Sequence, residues 1–406
     1  MTNLISPHLP DGFKAAGIAA QIKKTGLPDV ALIVSSVDCA AAALFTTNKV
    51  KAAPVLFDQH VLALDHTHIR AVIINSGCAN ACTGEQGLAD CRETAQTLAG
   101  SLTSQYAGGT VHASQVLVMS TGVIGVNLPM AKVKNGVQLA VPVLSTDGLE
   151  AAARAIMTTD TVQKIAYAEI MISGKMVHVT GIAKGSGMIH PDLATMLSVV
   201  MTDARIAPEL LKPALVQAAG LSFNHISVDG DTSTNDTLLV LANGASGVSI
   251  DNAESLDVFQ AALTEVCINL AKQMARDGEG ATKLITLSIT GAPDMRTAEN
   301  VGRTIAKSPL VKTAFYGEDA NWGRIIAAAG YSGEEVDPER MSLWFGDVLV
   351  FKHGMPTRYS DAEATKAIQS HDVSVRLDLG TGAVSTTIWT CDLSHDYVTI
   401  NGKYRT

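Results

Sequence analysis

The sequence predicts a mixed α/β, or α+β, layered sandwich. Strand-like and helix-like segments alternate along 406 residues without an internal repeat. Hydrophobic residues make up 47% and charged residues 17%, the balance of a chain with a sizeable core. No Pro/Gly/Ser-rich linker divides the chain, so its parts are expected to interlock. Aromatics are only 4%, which leaves Ala, Val, Leu, Ile and Met to fill the core.

The elements follow in order. VALIVSS from Val30, AVIINSG from Ala71 and QVLVMSTG from Gln115 are β-rich runs, the last ending at Ser120. A helix is expected from Asp147 to about Met157, because Asp147 and Glu150 have capping-box spacing. AEIMISG and KMVHVTGI alternate in polarity and meet at Ser173-Gly174, a β-hairpin pattern. TMLSVVMTD, from Thr195, reads as a strand. PELLKPALVQAAG reads as a helix ended by Gly220, with a kink expected at Pro213. Leu256 to Arg276 carries apolar residues at helical spacing and closes at Gly278. KLITLSITG from Lys283 and VSVRLDLGTG from Val373 return to strand, and VTI near the C-terminus is strand-like.

Composition narrows the function. The net charge is −9 with no basic stripe, which argues against nucleic acid as a partner. Six cysteines (Cys39, Cys78, Cys82, Cys91, Cys267, Cys391) show no C-x-x-C spacing and are expected as reduced, mostly buried thiols. The N-terminal stretch has Pro7 and Pro10 and no apolar signal region, and no apolar run has membrane-spanning length. The expected location is the cytoplasm, without a membrane partner.

The most unusual stretch is KGSGMIHPDLATMLSVVMTDA, Lys184 to Ala204. Gly185 and Gly187 permit backbone angles closed to other residues, and Pro191 stiffens the approach. Ala194, a small residue, then precedes Thr195. Self-cleavage needs that pair: the Thr195 hydroxyl can attack the Ala194 carbonyl, and water can release a new N-terminal Thr. Such a Thr carries both nucleophile and base, since a free α-amine titrates at about 7.7–8.0. On spacing alone a β-branched residue opening a strand is the favoured reading, because short motifs match by chance.

MSTGVIG, Met119 to Gly125, offers a second site. The Thr121 hydroxyl and the Gly122 N–H could both donate to a developing oxyanion, though from the residues alone an ordinary Ser-Thr-Gly turn is the favoured reading. G-x-G-x-x-G, Walker A, G-x-S-x-G and H-E-x-x-H signatures are absent. His190, beside the proposed cut, is expected as a loop residue rather than a catalyst.

KGSGMIHPDLATML resembles the cleavage-site motif of the ornithine acetyltransferases, also called glutamate N-acetyltransferases. INSGCANACTG from Ile74, MSTGVIG, AIMTTDT from Ala155, DGEGATKL from Asp277, YGEDANWGRI from Tyr316 and the C-terminal DYVTING fit the family in order over nearly the whole chain. The resemblance implies the layered α/β fold of self-cleaving, DmpA-like aminopeptidases, with an N-terminal Thr nucleophile. It implies cutting between Ala194 and Thr195 into an α chain, 1–194, and a β chain, 195–406, assembled two and two. It implies Thr195 as nucleophile, and Thr121 and Gly122 as oxyanion hole. Thr158, Lys184, Thr195, Glu279, Asn401 and Thr406 are implied as substrate contacts. The implied reaction moves acetyl from N-acetylornithine to glutamate through acetyl-Thr195, with no metal or bound cofactor. Whether acetyl-CoA also donates stays open. Cys78 stands where Asn is usual, and His190 and Asp192 where Ala and Asn are common; none removes a proposed catalytic group. A self-cleaving aminopeptidase of the same fold is the alternative, and a partner protein with a dead site is disfavoured by the presence of every chemical residue.

Overall fold

The apolar, β-branched runs form strands, and the computed structural model, which describes residues 7–105, 109–190 and 196–403, divides them between two units. In chain order the strands are β1 (Phe13–Ile18), β2 (Val30–Phe45), β3 (Ile69–Cys78), β4 (Val116–Val123), β5 (Lys164–Ile172), β6 (Lys175–Lys184), β7 (Leu197–Thr202), β8 (Arg205–Ile206), β9 (Ile226–Ser227), β10 (Thr237–Ala242), β11 (Ser249–Ile250), β12 (Leu284–Ala292), β13 (Ser342–Phe345), β14 (Val348–Lys352), β15 (Met355–Pro356), β16 (Asp372–Asp378) and β17 (Val384–Cys391).

The first unit takes in the described residues of 1–185, 192–223 and 232–270. Its main sheet runs β4-β3-β2-β10-β7-β6-β5, with β1 paired to the start of β2. β3 and β4 are parallel, as are β7 and β10; the other neighbours are antiparallel. β7 and β10 are buried at every position, as strands covered on both faces must be. Leu197, Val199 and Met201 share a core with Leu98 and Leu102 of the helix Gly84–Gln105 and Val137 of the helix Met130–Ala140. Truncating a side chain such as Leu98 would cost about 2–5 kcal/mol. On the other face Gly181 of β6 lies against Val266 and Leu270 of the helix Ala253–Arg276.

The second unit takes in the described residues of 186–191, 224–231 and 271–406. Its sheet runs β15-β14-β13-β16-β12-β17-β9. The helix Met295–Lys307 starts at Asp294, whose side chain accepts the Thr297 N–H at 2.8 Å. It buries Val301 and Ile305 in a core with Ile289 and Phe345.

The layered α/β expectation holds in both units. The β5–β6 hairpin turns at Ser173 and Gly174, both with positive φ, the geometry of a tight two-residue hairpin turn. The helices Pro208–Gly220, which runs through Pro213, and Ala253–Arg276 stand where the sequence puts them. The expected helix start at Asp147 is displaced. The Asp147 N–H bonds Ser145 Oγ and the Gly148 N–H bonds the Ser145 carbonyl, so a turn intervenes and the helix is Leu149–Ala155 with Gly148 at its N-cap. The VTI run is helix, not strand: His395–Gly402 is capped by Ser394, which accepts the Asp396 N–H at 3.2 Å. Five cysteines are buried and Cys82 is exposed, all as free thiols. No helix among the described residues is long and apolar enough to cross a membrane.

Residues before and after the expected cut interleave. β7 and β10 come from the half after residue 194, yet lie between β2 and β6 from the half before it.

Candidate active site

β4 runs on through Thr121 and Gly122 to Val123 instead of ending at Ser120, because β3 continues alongside it and pairs Ser76 with Thr121 and Gly77 with Gly122. The register shifts at Gly77 and Cys78, a β-bulge that re-aims the strand's end. Gly122 has φ 136°, and a Cβ there would lie 2.3 Å from the Gly77 carbonyl carbon. No other residue fits. Buried polar side chains hold the bulge: Ser120 Oγ donates to Asn75 Oδ1 at 2.6 Å, and Asn235 Nδ2 donates to the Ala79 and Ser120 carbonyls at 2.7 and 2.8 Å.

Lys184, the last residue of β6, is buried, and its Nζ donates to Thr121 Oγ1 at 3.3 Å. Near it, Asp160 accepts from Lys164 Nζ at 2.6 Å, from the Gly185 N–H at 2.7 Å and from the Thr158 N–H at 2.9 Å. Burial works against the Asp160 carboxylate, but the Lys184 and Lys164 cations outweigh it and hold its pKa well below the usual range. Thr158 thus joins Lys184 through Asp160, while Asp160 and Lys164 escaped the sequence reading. Lys23 escaped it too. Burial pulls its ammonium down to about 8 against the opposing pull of Asp29 and Asp160, and its stem packs on Gly77. The only sequence signal was charge set among apolar runs.

Ala194 and Thr195 lie outside the described residues, as does Asp192. Met196, the next residue, donates its N–H to Asp236 Oδ1 at 3.1 Å. Asp236 is fully buried, and burial pushes its pKa well above the usual carboxylate range, against the hydrogen bond from Met196. Its Oδ2 has no hydrogen-bond partner among the described residues. Nothing in the sequence marked it.

In the second unit Glu279 is buried and donates its N–H to the Ser186 carbonyl at 2.7 Å. Asn401 Nδ2 donates to Glu279 Oε2 at 2.7 Å. Gly187 earns its place differently from the expectation of unusual backbone angles: a Cβ there would sit 2.4 Å from Glu279 Cδ. The neighbouring Met188 takes the positive φ, 57°. Ser394 Oγ donates to the Gly280 carbonyl at 2.6 Å and so ties the C-terminal helix to the Glu279 turn. Tyr397, on that helix, donates its hydroxyl to Asp229 at 3.3 Å. Thr406 lies outside the described residues. His190 Nδ1 lies 3.2 Å from Ser227 Oγ, and Cys78 is buried with its Sγ donating to the Val126 carbonyl at 3.2 Å.

Chemically, the first unit gathers a hydroxyl, a glycine bulge and a buried cation; the second gathers a carboxylate and an amide. A family model, the ArgJ family, matches residues 14–406. An arginine biosynthesis bifunctional protein of Symbiobacterium thermophilum is 48% identical over 401 residues, covering 98% of each chain. One from Thermotoga neapolitana, under the same description, is 47% identical over 405 residues, covering 98% of this chain and all of that one. The solved structure of ornithine acetyltransferase complexed with ornithine, from Mycobacterium tuberculosis, is 40% identical. It spans 47% of this chain and 96% of its own, with a TM-score of 0.40.

Proposed function

The chain belongs to the ArgJ family, and on that premise we propose how its residues move an acetyl group. The protein is a glutamate N-acetyltransferase of arginine biosynthesis, an ornithine acetyltransferase. The chain first cuts itself. Thr195 Oγ attacks the Ala194 carbonyl carbon, the Ala194–Thr195 C–N bond breaks, and the hydroxyl proton passes to the departing Thr195 nitrogen. Water then hydrolyses the ester, which leaves 1–194 ending in a carboxylate and 195–406 beginning with a free Thr195 amine.

In the transfer, Thr195 Oγ attacks the acetyl carbon of N-acetylornithine while its own amine takes the hydroxyl proton. The oxyanion forms against the Thr121 O–H and the Gly122 N–H. The C–N bond breaks, the proton passes to the departing nitrogen, and ornithine leaves an acetyl ester on Thr195. The amine of glutamate attacks that ester and regenerates the hydroxyl, giving N-acetylglutamate. Lys184 supplies positive charge for a substrate carboxylate. Glu279, oriented by Asn401, takes the free ammonium of N-acetylornithine. Thr158 and Thr406 complete the substrate contacts. The bifunctional description shared by the relatives supports acetyl-CoA as a second donor. The two fragments pair as an α and a β chain, a pairing supported by strands of both halves sharing one sheet, and two such pairs assemble.

The observation that carries this reading is the buried Lys184–Thr121 contact beside the Gly122 bulge. Assaying glutamate acetylation with N-acetylornithine and with acetyl-CoA, each alone, tests it. Transfer should occur with an acetylated 195–406 fragment as intermediate. Release of acetate or of peptide products without N-acetylglutamate would overturn it in favour of a hydrolase.

A further inference from the structure

On the sheet of the first unit, β5 is the edge strand and pairs with β6 so that Glu169 stands directly opposite His178. Directly opposed side chains on one face of an antiparallel pair touch. Two residues on, Thr180 Oγ1 donates to the His8 carbonyl at 2.7 Å, which fixes the segment carrying His8 against the same hairpin. The rings of His8 and His178 meet edge to face with centroids 4.9 Å apart, and His8 Nε2 lies 3.9 Å from Glu169 Oε1. One ring nitrogen from each histidine and one oxygen of Glu169 all fall within 4.8 Å of one another.

The feature that distinguishes this cluster from a surface ion pair stands behind it. His178 Nδ1 lies 2.7 Å from Asp203 Oδ2, and Asp203 is fully buried, with its other oxygen accepting the His178 N–H at 2.9 Å. A carboxylate accepts, so Nδ1 carries a proton, and Nε2 is the ring nitrogen left to face a metal. A carboxylate–histidine pair of this kind fixes tautomer and ring orientation for a metal ligand and raises its basicity. The Asp203 carboxylate is itself held by the Asp11 N–H at 3.3 Å.

We propose that His8, Glu169 and His178 bind one divalent transition-metal ion, of the zinc class, which clasps the segment at His8 to the β5–β6 hairpin. Two imidazoles and a carboxylate suit zinc and its first-row neighbours, whereas magnesium and calcium take oxygen ligands. Zinc bonds to nitrogen and oxygen run about 2.0–2.2 Å, so the three donor atoms must draw closer than they stand here. The His8 and Glu169 side chains, 42% and 21% exposed, have room for that movement, while His178 is held by Asp203. Water would fill the fourth position. None of these residues belongs to the acetyl-transfer machinery, and the ion serves as a clamp.

The test uses the full chain, stripped with a chelator and titrated with Co(II) alone and then with Zn(II) alone. Co(II) should give visible ligand-field bands of four-coordinate geometry at one ion per chain, bleached by Zn(II). Zn(II) should raise the Tm of the wild type. His8→Ala, on a partly exposed segment that leaves the sheet intact, should abolish the bands and the Tm shift. Asp203→Asn should weaken binding about 10–100-fold. Absence of bands in the wild type, or the same affinity in wild type and His8→Ala, would overturn the proposal.

Discussion

Lys184 Nζ lies 3.3 Å from Thr121 Oγ1, and both side chains are buried. An ammonium can only donate, so the Thr121 oxygen accepts and its own proton remains to be donated elsewhere. That is the state an oxyanion donor needs. Thr121→Ala should therefore lower kcat about 10²–10³-fold with KM little changed, and Thr121→Ser should restore most of the rate. Steady-state kinetics on N-acetylornithine and glutamate check it; a wild-type kcat in Thr121→Ala would remove Thr121 from the oxyanion hole.

Self-cleavage predicts a protein that is two chains on a denaturing gel and one particle in native buffer. Ala194-Thr195 divides the sequence near its middle, so fragments of similar size are expected, and Thr195→Ala should stay one inactive chain. β7 and β10 belong to the second fragment, yet pair with β6 and β2 of the first. Parting the fragments would break two sheet ladders and open a core. Size-exclusion chromatography should find them together without denaturant. Fragments that separate under native conditions would contradict the shared sheet.

The local parts of this fold were legible in the sequence. The β5–β6 hairpin was, because Ser173-Gly174 can take two positive φ values in succession, a property of those two residues alone. Non-local contacts governed the rest. Val398, Thr399 and Ile400 favour a strand by type, but the Ser394 cap and its bond to the Gly280 carbonyl set a helix there. Thr121 and Gly122 were legible as residues but not as strand, since the partner that extends β4 is Ser76-Gly77, far back in the chain. Gly187 was legible as a necessary glycine for the wrong reason; the reason is the Glu279 carboxylate, distant in sequence. Lys164 and Asp236 carry no motif, and Asp160 sits inside AIMTTDT with no role assigned to it there; only burial reveals what the three do.

Asp160 sets a prediction in pH. Burial disfavours its charge, Lys184 and Lys164 favour it more, and its folded pKa lies below the usual 3.8. A depressed folded pKa means the contribution is fully present above 3.8 and is lost as pH falls through the lower folded value. Asp160→Asn should flatten that acid limb in urea unfolding. At neutral pH it should cost about 3–5 kcal/mol, because it breaks a salt bridge whose two side chains have no exposed surface. An unchanged midpoint at neutral pH would show that the Asp160–Lys164 pair contributes nothing to stability.

The C-terminus makes the last prediction. Chain ends are usually frayed and tolerant of loss. Here the helix His395–Gly402 is held at three points. Ser394 bonds the Gly280 carbonyl, the Tyr397 hydroxyl bonds Asp229, and Asn401 Nδ2 bonds Glu279 Oε2 at 2.7 Å. Asn401 donates to one carboxylate oxygen, which orients Glu279 and leaves its remaining lone pairs for an ammonium. If Glu279 binds the free ammonium of N-acetylornithine, Asn401→Ala should raise KM for that substrate while kcat with acetyl-CoA as donor changes little. The cost in kcat/KM should be about 1.5–3 kcal/mol, that of a charge-assisted hydrogen bond. Deleting Lys403 to Thr406 should act in the same direction if Thr406 contacts the substrate, and should leave cleavage at Ala194-Thr195 intact if that depends on the Lys184–Thr195 segment. The two readouts separate the roles. Loss of cleavage would make the tail part of folding, and an unchanged kcat/KM with full cleavage would show that substrate binding does not involve it.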